Sequence, residues 1–359
     1  MMQNLSLIAD FGATFSRLAL YADGEIFSQI TLESRRFQSP LEVIEHYLEL
    51  TAQNAPHAPD HYLIAIASPL VEDAVQLTNN HWEFSQKALR EALKKRGGTL
   101  TLINDFKALA YSLLKLEKTD IRVIGTSEAN LAESDSTKAQ SSNSNQNAPI
   151  IKALIGPGSG FGTATLVVPA SSIPTHSEPI IIASEGGHSV FAPFDQEEIA
   201  LLSLLSNTPS LLKGKLAPYP IILEDLLSGT HGVKRLIDAM ALLYDKNPTF
   251  NSPETLLHSA LTEKEPFARA VLTRYSLLLA TIASNIALTT GARDGIYIGG
   301  GLVPRFADFL ANSPFRKRFE ENLTVNNYLK TIPTYLIEHA DPTLIGLQYL
   351  ADRLNQPSQ

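Results

Sequence analysis

Two short glycine-rich loops, each set between apolar, β-branched segments, constrain this chain more than any other feature. The first, Asp10-Phe11-Gly12-Ala13-Thr14, ends the apolar run Leu5–Ala9 and leads through Ser16-Arg17 into Leu18-Ala19-Leu20-Tyr21. The second, Gly156-Pro157-Gly158-Ser159-Gly160-Phe161-Gly162-Thr163, lies between Ile150–Ile155 and Ala164–Val168. Each reads as strand, small-residue turn, strand. Glycine lets the backbone come close to a ligand, and successive N–H groups in such turns converge on an anion. A single loop of this kind is equally well a tight hairpin; the pair points to a clamp for a polyphosphate. Neither loop carries the Lys-Ser or Lys-Thr of a P-loop. A dinucleotide fingerprint would open a helix, whereas the segments that follow here have strand character.

The surrounding pattern is α/β. Leu5–Ala9, Leu18–Tyr21 and Glu25–Leu32 predict an antiparallel meander with Asp23-Gly24 as a hairpin turn. Pro40–Thr51 has helical spacing, His61–Ala67 reads as a buried strand, and Gln86–Lys95, Thr99–Ile103 and Phe106–Leu116 read as helix, strand and helix. Beyond the second loop come a strand at Pro179–Ala183 and mainly helices from Glu197 to Thr290. A strand at Gly295–Ile298 then meets Gly299-Gly300-Gly301, with a helix expected from near Val303. A last strand, Thr334–Glu338, precedes a terminal helix, Thr343–Leu354. At 359 residues the chain is long enough for two cores. The expected division is a small α/β domain at 1–115 plus 339–359 and a large one at 116–338. Within the latter, 126–149 is rich in Ser, Asn and Gln and reads as a mobile surface insertion.

Composition excludes several classes. A net charge of −8 lacks the basic footprint of a nucleic-acid binder. There is no cysteine, which removes disulfides and thiolate metal sites and is compatible with a cytoplasmic location. No signal peptide is recognised, and Tyr275–Thr290, the most apolar stretch, is short for a membrane span and reads as a buried helix.

Three polar clusters carry candidate chemistry. Asn104-Asp105 stands where an apolar strand gives way to a helix, the place at which α/β sheets hold ligands. A carboxylate there is placed to take a proton from a substrate hydroxyl, or simply to cap the helix. Glu185-Gly186-Gly187-His188 offers an acceptor and an imidazole to the hydroxyls of a polyol, with a His–Glu metal site as the rival. Glu224 adds a carboxylate before the turn Ser228-Gly229-Thr230-His231-Gly232. Thr78-Asn79-Asn80-His81-Trp82 is either a sugar-binding cluster or a turn with a packed indole. Gly299-Gly300-Gly301 admits either a flat ring or a closely packed helix.

Taken together, these motifs resemble the bacterial glucokinase family of the hexokinase–actin-like ATPase superfamily, from Ile8 to about Leu350. Its first phosphate loop, Asp-x-Gly-Gly-Thr-x-x-Arg-Leu-Ala, is matched at Asp10–Ala19. Its Ile-Asn-Asp-Phe stands at Ile103–Phe106, and Gly-x-Gly-Thr-Gly-Leu-Gly at Gly156–Gly162. Glu-Gly-Gly-His stands at Glu185–His188, and Ile-Gly-Gly-Gly-Leu-x-Pro-Arg at Ile298–Arg305.

The resemblance implies a two-domain ribonuclease-H-like α/β fold with mixed sheets and an interdomain cleft that closes on substrate, its C-terminal helix rejoining the first domain. It implies ATP-dependent phosphorylation of glucose at the 6-hydroxyl, with Asp105 as general base. Asn104, Glu185, His188, Glu224 and Asn79 are then the sugar-binding residues. Asp10, Gly12, Ala13, Thr14, Gly158, Ser159, Gly160, Gly162, Gly300 and Gly301 surround the nucleotide, with Mg²⁺ reached from Asp10 through water. A homodimer is expected, with no nucleic-acid or membrane partner. The alternatives are a kinase for another hexose and a glucose sensor of weakened activity. The departures from the family pattern gather at the nucleotide side: Ala13 in place of the second glycine, Phe15 at a usually polar position, and the turn Ser228-Gly229-Thr230-His231-Gly232 where the family has Ser-Gly-Pro-Gly-Leu.

Overall fold

The computed structural model describes residues 4–55, 57–68, 70–77, 80–125, 148–170, 178–208 and 218–355. It divides into two compact units, 1–117 with 339–359, and 118–338. Nearly all of the expected insertion, 126–147, lies outside the described residues, as does Asn79.

The first unit is built on a sheet of β1 (Ser6–Phe11), β2 (Phe15–Ala22), β3 (Glu25–Glu33), β4 (His61–Ile66) and β7 (Thr99–Asn104), in the order β3-β2-β1-β4-β7. A two-stranded ribbon, β5 (Ala74–Gln76) with β6 (Glu83–Ser85), stands beside it. Asp23 and Gly24 both take positive φ, 51° and 88°, as the β2–β3 hairpin requires. The central strands carry apolar runs, Leu7-Ile8-Ala9 in β1 and Tyr62–Ile66 in β4, because both faces are covered. On β1, Leu7, Ala9 and Phe11 enter one core with residues of α1 (Pro40–Thr51) and α2 (Gln86–Lys95). Ile8 points the other way, into a second core shared with Ala108 of α3 (Asp105–Ser112) and with Leu344 and Leu347 of the terminal helix Pro342–Leu354. That helix crosses α3 so closely that a Cβ on Gly346 would collide with the Ala108 carbonyl. The α3 helix stops at Ser112, short of the expected Leu116. Turns follow it, with the Lys115 and Leu116 N–H groups both donating to Ser112 O.

The second unit carries a six-stranded sheet, β11-β10-β9-β12-β13-β8. Its strands are β8 (Ile121–Val123), β9 (Ile150–Pro157), β10 (Phe161–Val168), β11 (Ile180–Ser184), β12 (Ile296–Ile298) and β13 (Thr334–Ile337). Its helices include α4 (Gln196–Asn207), α5 (Leu223–Leu227), α6 (Gly232–Leu243) and α7 (Pro266–Thr290). Among the described residues α7 is the one helix long and apolar enough to cross a membrane, yet most of it is buried inside the unit as a core helix. Polar contacts also hold it: Arg274 of α7 reaches the buried Glu198 of α4 at 3.1 Å, and Arg318 reaches the same carboxylate at 2.8 Å. The helix expected from near Val303 begins as a 3₁₀ turn, Val303–Phe306, and becomes α-helical only at Ala307–Ala311.

Candidate functional site

Both glycine loops are hairpin loops. The first joins the antiparallel pair β1 and β2, the second β9 and β10. Neither opens a helix, which removes the dinucleotide fingerprint on structural grounds.

In the first unit the loop's carbonyls are tied down one after another. Gly12 O accepts from Ser34 Oγ at 2.8 Å, Ala13 O from Asn80 Nδ2 at 2.9 Å and Thr14 O from Ser34 N at 2.9 Å. A trans peptide directs its C=O and N–H oppositely. Fixing these carbonyls therefore fixes the Ala13 and Thr14 N–H groups on the other side, where they donate to no acceptor among the described residues. Such an array of N–H groups is what an anionic oxygen needs. Ser34 was not among the sequence candidates, and Asn80 was named only as part of a sugar-binding cluster or turn. Their partners lie 22 and 67 residues away, beyond any local pattern. Trp82 is fully buried with its indole N–H on Phe37 O at 2.8 Å, so the indole of its cluster is a packing group.

The strands β1, β4 and β7 are parallel, so Asp10 and Asp105 emerge at the same edge of the sheet. Asp10 is opposite Arg17 in the β1–β2 register, and Arg17 bridges Asp10 (3.4 Å) and Asp341 (3.0 Å). Burial pushes the Asp10 carboxyl from 3.8 up to about 6; the Arg17 charge opposes the rise and Asp341 adds to it. Asn104 is the N-cap of α3, its Oδ1 accepting from Lys107 N at 3.2 Å. Capping is thus Asn104's task, and Asp105 is the first helical residue, its Oδ1 accepting from its neighbour Phe106 N at 2.8 Å. Burial pushes Asp105 from 3.8 up to about 7, the negative charge of Asp10 adds to this, and hydrogen bonds from backbone amides and the Asn104 side chain oppose it. A helix N-terminus favours an anion by only ~0.3–1 kcal/mol, too little to offset the burial. The result is a carboxyl group poised to exchange a proton near neutral pH.

In the second unit the remaining polar candidates gather around the β9–β10 loop. Glu224 accepts from Phe161 N at 3.1 Å through Oε2, so this carboxylate is bound to the loop and is no solvated helix residue. On the other side Gly186 N donates to Thr163 Oγ1 at 3.1 Å, and a Cβ on Gly187 would collide with the Phe161 carbonyl. Those close approaches explain the Gly-Gly pair. They present Glu185 and His188 outward, 3.7 Å apart and with side chains 76% and 58% exposed. Gly158 N donates to Gly160 O at 3.0 Å, while Gly162 pairs with Gly156 within the strands. The N–H groups of Ser159 and Gly160 have no acceptor among the described residues. Gly300 holds a φ of +84° with no room for a Cβ against the Pro157 carbonyl, and Gly301 faces open space. The Gly-Gly-Gly run therefore serves close packing at Gly300 and leaves room for a ligand at Gly301.

No group of three His, Asp or Glu side chains forms a metal cage among the described residues. Mg²⁺ in phosphoryl transfer needs none, because it takes one or two carboxylates and draws its other ligands from water and phosphate. Asp10, under-compensated by Arg17 alone, fits that requirement.

A family model described as glucokinase matches residues 7–354. The curated glucokinase of Chromobacterium violaceum is 36% identical over 350 residues, covering 97% of this chain and 90% of the relative. The solved structure of a glucokinase from an Antarctic psychrotroph superposes with a TM-score of 0.76 at 28% identity, covering 98% and 99% of the two chains. That of the Balamuthia mandrillaris glucokinase in complex with glucose reaches 0.70 at 17% identity, covering 97% and 94%, and bears on the fold alone.

Proposed function

The chain belongs to the bacterial glucokinase family, and from that premise we propose that it transfers the γ-phosphoryl group of ATP to the 6-hydroxyl of glucose with Asp105 as the general base. The observation that supports this most directly is the Asp105 carboxyl, set at the end of β7 and raised to about 7 by burial and by Asp10. A base of that strength is matched to a hydroxyl that loses its proton only as it attacks.

Phosphoryl transfer asks a protein for alignment and charge stabilisation more than for covalent chemistry. The N–H groups of Ala13, Thr14, Ser159 and Gly160, turned outward by their tethered carbonyls, supply donors to phosphate oxygens. Asp10 would hold Mg²⁺ through water; when bound, that ion neutralises charge on the β- and γ-phosphates. Glu185, His188 and Glu224 offer acceptors and an imidazole for sugar hydroxyls, and the Asn104 amide is placed beside the base. Asp105 accepts the 6-hydroxyl proton as the oxygen–phosphorus bond forms and the bond to ADP breaks.

The test is glucose-dependent ADP production from ATP and Mg²⁺ by the wild type and Asp105→Ala side by side. The variant should lose roughly 10²- to 10⁴-fold in kcat while still binding glucose in calorimetry. A wild type that binds glucose without turnover would move the reading to the glucose sensor.

A further inference from the structure

The turn Ser228–Gly232 carries the Thr230-His231 departure, and it lies directly on the second glycine loop. Gly229 N donates to the Gly158 carbonyl at 2.8 Å, and the Thr230 hydroxyl donates to the Ser159 carbonyl at 2.6 Å. By the opposition of C=O and N–H across a peptide, these two bonds turn the Ser159 and Gly160 N–H groups away from the turn. The turn itself is braced. Ser228 Oγ accepts from Gly232 N at 3.0 Å, Ser228 O from Val233 N at 2.9 Å, and Tyr275 donates to Leu227 O at 2.9 Å. The tether at Gly229 is a backbone one, and a Cβ there would press on the Gly158 carbonyl at 2.9 Å. The tether to Ser159 needs a side-chain donor, here the Thr230 hydroxyl, and a proline at position 230 would have none to offer. The first loop has the same construction, with the Asn80 amide on the Ala13 carbonyl.

We propose that Thr230 is a positioning residue of the phosphate site, its hydroxyl orienting the Gly160 N–H toward an oxygen of a nucleoside triphosphate. This rests on the kinase reading above. It also gives the altered turn a role in nucleotide binding, where the sequence alone marked only a departure from the family pattern.

The test uses the full-length wild type, Thr230→Val and Thr230→Ser. Calorimetry gives the Kd for a non-hydrolysable ATP analogue and for glucose, and steady-state kinetics give kcat with both KM values. Valine keeps the shape and removes only the donor. It should raise the analogue Kd and KM for ATP by about 3- to 10-fold, the range for one neutral hydrogen bond, and leave glucose binding unchanged. Serine should restore wild-type behaviour. An unchanged analogue Kd in Thr230→Val overturns the proposal. So does a serine variant as weak as valine, or an equal loss of glucose affinity, since either would mark a packing role. A wild type that binds the analogue but transfers no phosphate defeats the kinase reading and leaves the binding comparison to decide the role of Thr230. A wild type that binds neither nucleotide nor analogue overturns both.

Discussion

Asp105 binds its proton more tightly in the folded chain than in the unfolded one, with a pKa raised from 3.8 to about 7. Because only the ionised carboxylate can act as base, kcat/KM should climb with pH through an ascending limb centred near 7 and level off above it. A limb centred near 4 would mean that the carboxyl is not buried in solution. The same shift has a consequence for stability. Between pH 3.8 and about 7 the folded chain holds a proton that the unfolded chain has lost, so this residue's contribution falls as pH rises and is at its least favourable above 7. Asp105→Asn removes the penalty. It should melt at a higher temperature than the wild type at pH 8 and at the same temperature near pH 4, in parallel thermal scans.

Among the elements, the sugar-side loop depends on glycines for space. Gly187 lies against the Phe161 backbone, which cannot move aside as a flexible side chain could. Gly187→Ala should therefore displace the Glu185–His188 turn and abolish measurable glucose binding in calorimetry, while the Asp105 half of the machinery keeps its fold. At this scale much was legible. The β1–β3 meander, α1 and α2 follow from periodicity and turn chemistry, and the motif residues Asp10, Asp105, Glu185 and Glu224 stand out as polar groups at element ends. The tethering roles that stayed hidden have a common cause. Ser34, Asn80 and Thr230 each use a side chain for a long-range hydrogen bond to a loop carbonyl, and a single Ser, Asn or Thr in a turn leaves no periodic trace of its partner. The ribbon β5–β6 was missed because strands of three residues are too short to show alternation.

For the molecule as a whole, the division of the chain matters more than any one contact. The unit that bears Asp10 and Asp105 is completed by the terminal helix, whose Leu344 and Leu347 are buried against Ile8, Ala19 and Leu63. Leu344→Ala and Leu347→Ala should each cost ~2–5 kcal/mol in urea unfolding. A chain ending at Glu338 should lose the cooperative transition of this unit, with the unit at 118–338 still folding. A chain that kept both transitions would show the helix to be dispensable. The close crossing of Gly346 over Ala108 also sets an order of birth. At ~5–20 residues per second, the stretch between them occupies the ribosome for on the order of tens of seconds. Throughout that interval, while the unit at 118–338 is itself being made, the face lined by Ile8, Ala19 and Leu63 waits without the helix that covers it. The support beneath the base of the first unit is therefore made long after the base itself.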